Sequence, residues 1–211
     1  MSIKLNKIKL NKKAGFTLVE LLITITMFVI ITGVVLVNSN TFDNSVLLHN
    51  FAYDVALTIK QAQSYGVNVR ENSSGSFNYD YGVYFDLTQS NVNYVLFNDT
   101  PDVNNNYNKI YNDPITTCSA SGECIQKYTI RKGTFIQSIC VGDSELTCDP
   151  TVKQLSILFH RPKLDAYIYI NNVYTGNDTD LKSYAKIIFA ATNGATSTVV
   201  VTSVGQIYIK K

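Results

Sequence analysis

The sequence predicts an α+β protein: a long N-terminal helix packed on a mostly antiparallel β domain. Three observations carry this. An apolar run from Leu21 to Val37 holds no charge at all. Behind it, Leu48, Ala52, Val55, Ile59 and Ala62 step by four, three, four and three, the spacing of a helix that buries one stripe. After Gly66 the apolar period changes to two, in short stretches separated by turn residues. A helix followed by a run of strands is the α+β order.

The elements follow in turn. Lys4, Lys7, Lys9, Lys12 and Lys13 precede the apolar run, and no acid does. As a helix, residues 16–37 would span about 30 Å, the thickness of a bilayer's hydrocarbon core. The lysines predict that residues 1–15 stay in the cytoplasm and that everything after Val37 lies outside. Glu20 breaks the pattern. An acid just inside a membrane segment costs roughly 2.5–3.5 kcal/mol, so it calls for a partner.

The stripe from Leu48 to Ala62 leaves Asn50, Asp54, Thr58, Gln61 and Gln63 mostly off its face. No proline interrupts the stretch from Phe16 to Gly66, and Gly66 is a plausible C′ stop. This predicts one helix over residues 16–66, membrane-spanning at 16–37 and loosest near Asn38–Asn40. Two helices joined by a turn at Asn38–Asn44 remain the alternative. Strands are predicted at Tyr79–Asp86, Asn93–Asn98, Tyr128–Ile130, Thr134–Cys140, Gln154–Phe159, Ala166–Asn171, Ala185–Ala190, Ser197–Thr202 and Gln206–Ile209. Residues 67–211 would then form a β-rich extracytoplasmic domain, enough chain to bury a core.

The four cysteines all lie in that domain. Cys118-x5-Cys124 and Cys140-x7-Cys148 are not zinc spacings, and no C-x-x-C occurs. Outside the cytoplasm they read as two disulfides. Three connectivities exist, and proximity in sequence favours Cys118–Cys124 with Cys140–Cys148.

The run Lys12-Lys13-Ala14-Gly15-Phe16-Thr17-Leu18-Val19-Glu20-Leu21-Leu22 resembles the leader and first helix of type IV pilins and type II secretion pseudopilins. The resemblance covers about the first quarter of the chain. It implies a type IV pilin-like fold and cleavage by a prepilin peptidase after Gly15. It implies N-methylation of Phe16, and pairing of Glu20 with the terminal amine of a neighbouring subunit during assembly. Implied partners are other pilin or pseudopilin subunits, the peptidase, a membrane assembly platform and membrane lipid. The implied location is the bacterial cytoplasmic membrane, crossed once with the N-terminus inside, and then a pilus or pseudopilus filament. A leader of fifteen residues is longer than many in the family.

Leu155–Pro162, the helix end Ala56–Gly66 and the ending Thr198–Ile207 are similar to the GspH/FimT-like minor pilins. Some members of that branch bind DNA through Arg-bearing C-terminal segments. Here Gly205 is followed by Gln206, and the nearby cations are Lys210 and Lys211. Nucleic acid is therefore a weak partner expectation. Charge points the same way. Removing residues 1–15 takes five lysines and no acid from 18 basic and 16 acidic side chains, leaving 13 and 16, a net charge of −3 with neutral histidines.

No Walker A, G-x-S-x-G, H-E-x-x-H or G-x-G-x-x-G motif is present. His49 and His160 read as structural. The chain reads as a non-enzyme that needs no cofactor, with one reservation. Asp102, Asn104, Asn106, Asn108 and Asp113 occupy positions 1, 3, 5, 7 and 12 of an EF-hand-like loop, so calcium is a candidate ligand. Tyr107 stands at position 6, where that loop needs glycine, and no Glu closes it. An Asn-rich surface loop is the competing expectation.

The leading functional expectation is thus a minor pilin or pseudopilin subunit. A DNA-binding tip pilin and a single-pass anchored protein without a filament role are the alternatives.

Overall fold

The structure, a computed structural model, describes residues 15–68, 79–101, 107–119, 122–131, 133–170 and 181–210, with backbone alone at 37–45. The chain divides into two compact units, residues 1–40 and 41–211. Helix α1, Leu18–Val67, contributes to both. Its backbone stays helical across residues 38–44, so no turn separates two helices there. Gly66 lies inside the last turn instead of stopping it. A Cβ there would meet the Phe159 carbonyl oxygen at 2.4 Å, so the glycine serves close packing of helix on strand.

Nine strands follow: β1 Asp80–Asp86, β2 Asn93–Asp99, β3 Cys124–Thr129, β4 Thr134–Gly142, β5 Gln154–Phe159, β6 Ala166–Ile170, β7 Tyr184–Ala191, β8 Thr196–Thr202 and β9 Ile207–Lys210. They form two sheets, ordered β3-β2-β1-β5-β6 and β4-β7-β8-β9. Every named pairing is antiparallel. The α+β expectation holds. Strand β3 begins four residues before its expected start, and its pairing with β2 slips between Leu96 and Phe97.

Period two explains the layering. In β1, Val83 and Phe85 face the helix; Leu96 of β2 and Ile157 and Phe159 of β5 join them. From the second sheet come Ile139, Ile187, Phe189, Val199 and Val201. The helical stripe Leu48, Ala52, Val55, Ile59 and Ala62 lies in the same buried cluster, each residue no more than 2 % exposed. One core therefore takes in the helix and both sheets.

The opposite face of the larger sheet is also covered. Tyr84, Val95, Phe97, Leu158 and Tyr169 pack with Tyr111 and Ile115 in a second buried cluster. Tyr111 and Ile115 belong to residues 107–119, which therefore lie over this face. Cys118 is bonded to Cys124, and Cys140 to Cys148, with Cα atoms 5.3 Å apart in both pairs.

Candidate functional site

The helix starts because Thr17 caps it. The Thr17 hydroxyl accepts from the Glu20 N–H at 3.2 Å, and the Thr17 carbonyl accepts from the Leu21 N–H at 3.1 Å. Thr17-x-x-Glu20 is the capping-box pattern, a signal present in the sequence that the motif reading passed over. Gly15 and Phe16 precede the first turn, and a Cβ on Gly15 would meet nothing within 4 Å. Phe16 and Glu20 are exposed, and Glu20 sits in the first turn, where the helix dipole favours an anion.

Beyond Glu20 the helix is built for an apolar medium. Leu18–Leu36 is 19 residues long with a mean hydropathy of 2.5, and none of it is buried within the protein. Its hydroxyls are internally satisfied: Thr24 donates to the Leu21 carbonyl at 2.9 Å, Thr26 to that of Ile23 at 2.9 Å and Thr32 to that of Phe28 at 2.7 Å. Back-bonding of this kind removes the cost of placing a hydroxyl in hydrocarbon.

The expected calcium loop fares differently. Asp102, Asn104 and Asn106 lie outside the described residues. Asn108 accepts from the Ile110 N–H at 3.0 Å, and Asp113 accepts from the Glu123 N–H at 2.9 Å. Both make local backbone contacts. Among the described residues, no group of three or more His, Cys, Asp or Glu side chains is placed to hold a metal ion.

The neighbouring acids form a clamp. Asp80 and Asp99 are register partners across β1 and β2, both buried. Lys109 pairs with Asp80 through its ammonium, and its backbone N–H donates to Asp99 at 3.0 Å; the His160 ring also contacts Asp80. Glu123, likewise buried, accepts from the Asn112 N–H at 2.8 Å and the Thr100 N–H at 3.2 Å. Burial pushes the Glu123 carboxyl up. It pushes Asp99 up to about 7 against the pull of the Lys109 N–H and ammonium. This network pins residues 107–113 to the larger sheet. No sequence signal pointed to it, because its members come from five separate stretches. Of the two C-terminal lysines, Lys210 pairs with Glu145, and Lys211 lies outside the described residues.

The family model of the prokaryotic N-terminal methylation motif matches residues 10–36. No curated protein and no solved structure matches the chain. The match takes in Lys12, Lys13, Gly15, Phe16, Glu20 and the exposed apolar segment Leu18–Leu36. This motif at the head of an α+β fold supports the type IV pilin and pseudopilin family.

Proposed function

We propose that this chain is a minor pilin or pseudopilin subunit. It is cut between Gly15 and Phe16, held in the cytoplasmic membrane by its first helix, and drawn into a type IV pilus or a type II secretion pseudopilus. The observation that carries the proposal is Glu20. It is the one charged side chain of Leu18–Leu36, the apolar opening segment of the helix, which finds no cover within its own chain. Lipid or neighbouring helices must supply that cover.

The positive flank and the two disulfides support a topology with residues 1–15 inside and the disulfide-bearing domain outside. After cleavage the Phe16 amine and the Glu20 carboxylate stand four residues apart at the helix start, the amine just ahead of the Thr17 cap and the carboxylate in the first turn. Each is costly alone near the membrane boundary, and pairing between subunits offsets that cost and sets their axial stagger. The chain acts as a structural part with no catalytic role.

Glu20→Ala separates the assembly role from the capping role. The Thr17 hydroxyl to Glu20 N–H bond uses the backbone, so the helix start survives the change. Membrane insertion should be at least as good as in wild type. The ratio of sheared-filament protein to membrane protein should fall sharply. An unchanged ratio with normal cleavage would exclude Glu20 as an assembly contact. N-terminal sequencing of the wild type should begin at Phe16, and any other start removes the main support for the family assignment.

A further inference from the structure

Leu146 is 97 % exposed, the most exposed large apolar side chain in the β domain among the described residues. It sits at the tip of a short hairpin that continues β4. Val141 and Asp149 exchange backbone hydrogen bonds of 3.2 and 2.7 Å, Cys140 is bonded to Cys148, and Ser144 bonds Thr147 at 3.0 Å across the tip. Glu145 is tied to Lys210. A leucine held out on a braced loop gains little by staying in water and loses little entropy when a partner covers it.

The same domain has a hole of the matching size. A groove of about 140 Å³ lies between helix α1 and strand β9, lined by Ala56, Leu57, Lys60, Ile207 and Ile209. An engineered cavity of about 150 Å³ accepts a benzene-sized apolar guest, so this groove suits one branched aliphatic side chain. Its rim carries Lys60, while Asp143 stands near Leu146 on the hairpin, the neighbouring Glu145 being already paired with Lys210. Shape and charge both match, yet Leu146 does not reach its own groove.

We infer that Leu146 of one copy docks into the α1–β9 groove of a second copy, with Lys60 facing Asp143 of the hairpin. One side chain in one groove buries far less than the 1,200 Å² or so of a stable interface. The contact is therefore weak in free solution and gains from the high local concentration of anchored copies. It needs membrane anchoring but no filament.

The test uses the full chain in its native membrane, with two copies bearing different tags. A benzophenone amino acid at position 146 is photo-activated and the adducts are mapped by mass spectrometry. A doubly tagged adduct on Ala56–Lys60 or Ile207–Ile209 is expected. Lys60→Glu in the receiving copy should lower its yield about threefold or more, the scale of an exposed charge pair, and Lys60→Arg should keep it. The same probe at position 164, where Leu164 is 59 % exposed, should give no groove adduct. The adduct should persist with Glu20→Ala. The inference is overturned by absence of a doubly tagged adduct, by adducts mapping elsewhere or to another protein, by indifference to Lys60→Glu, or by loss with Glu20→Ala. Failure of wild-type chains to enter filaments would count against the pilus reading alone.

Discussion

Asp86 and Asp99 are both fully buried at opposite ends of the β1–β2 hairpin, and their surroundings push them in opposite directions. Burial works against charge on Asp86. Bonds from the Thr88 hydroxyl, Gln154, the Thr88 N–H and Gln89 outweigh it and hold the carboxyl below its ordinary range. Asp99 receives the Lys109 N–H on one oxygen, while its other oxygen has no hydrogen-bond partner among the described residues. Burial therefore wins and carries it up to about 7. The sign follows from linkage. A carboxyl that binds its proton more tightly in the folded state opposes folding increasingly as pH rises from about 4, and the loss is complete above pH 7. Its size is up to about 4 kcal/mol. Asp99→Asn keeps an acceptor for the Lys109 N–H and removes the titration. The variant should gain in Tm over wild type at pH 8 and lose that gain by pH 4, measured on the detergent-solubilised chain. A difference that does not vary with pH would contradict the assignment. Gly205 is a second residue whose role is local. Its φ is +79°, and a Cβ would meet the Leu164 carbonyl oxygen at 2.1 Å. Gly205→Ala should destabilise by at least about 1–2 kcal/mol in a chemical denaturation series.

At the scale of elements, the helix shows what periodicity makes legible. Leu48, Ala52, Val55, Ile59 and Ala62 could be picked out because burial on one face imposes a spacing near 3.6, and the structure buries all five. Ile59 is sealed and Leu57 is half exposed, two residues apart on the same helix. Ile59→Ala should cost about 2–4 kcal/mol in denaturant unfolding, while Leu57→Ala should change stability by no more than about 0.5 kcal/mol. Comparable losses would mean the helix packs with a different face. Most strands were legible for a similar reason, since each of these buries at least one face. Strand β3 is the instructive miss. From Cys124 to Lys127 its side chains grade from buried to exposed without clean alternation, and the register slip against β2 falls in this part. The division into two sheets was not legible at all. It depends on pairings such as Val83 with Ile157, far apart in the chain, which no local pattern encodes. The clamp of Asp80, Asp99, Lys109, Glu123 and His160 was hidden for the same reason. The N-terminal motif lay at the other extreme: Gly15, Phe16 and Glu20 are defined by sequence neighbours alone and needed no fold to be found.

At the scale of the whole molecule, charge weighs against a nucleic-acid receptor. Electrostatic binding to DNA requires several cations free to displace counterions, and each phosphate contact steepens the salt dependence. Without residues 1–15 the chain holds 13 basic and 16 acidic side chains. Several of the cations are already engaged. The Lys109 ammonium turns to buried Asp80, Lys127 donates to the Thr116 carbonyl at 2.8 Å, and Lys210 pairs with Glu145. The Lys210–Glu145 pair is exposed and contributes little to stability, yet it sets an acid beside the cation most suited to a phosphate. The purified full-length chain in neutral detergent should therefore bind a short duplex only in the non-specific range, with Kd of about 10⁻⁴–10⁻⁶ M at physiological salt. Fluorescence anisotropy across a salt series measures both affinity and slope. Glu145→Gln supplies the sharper comparison, because it frees Lys210 without adding a base. If Glu145 masks Lys210, that variant should bind more tightly than wild type by a small factor, with a slightly steeper salt slope. Sub-micromolar binding by the wild type, abolished when Lys210→Ala and Lys211→Ala are combined, would show that the C-terminal lysines meet DNA despite Glu145, and would make DNA capture the primary role of the domain.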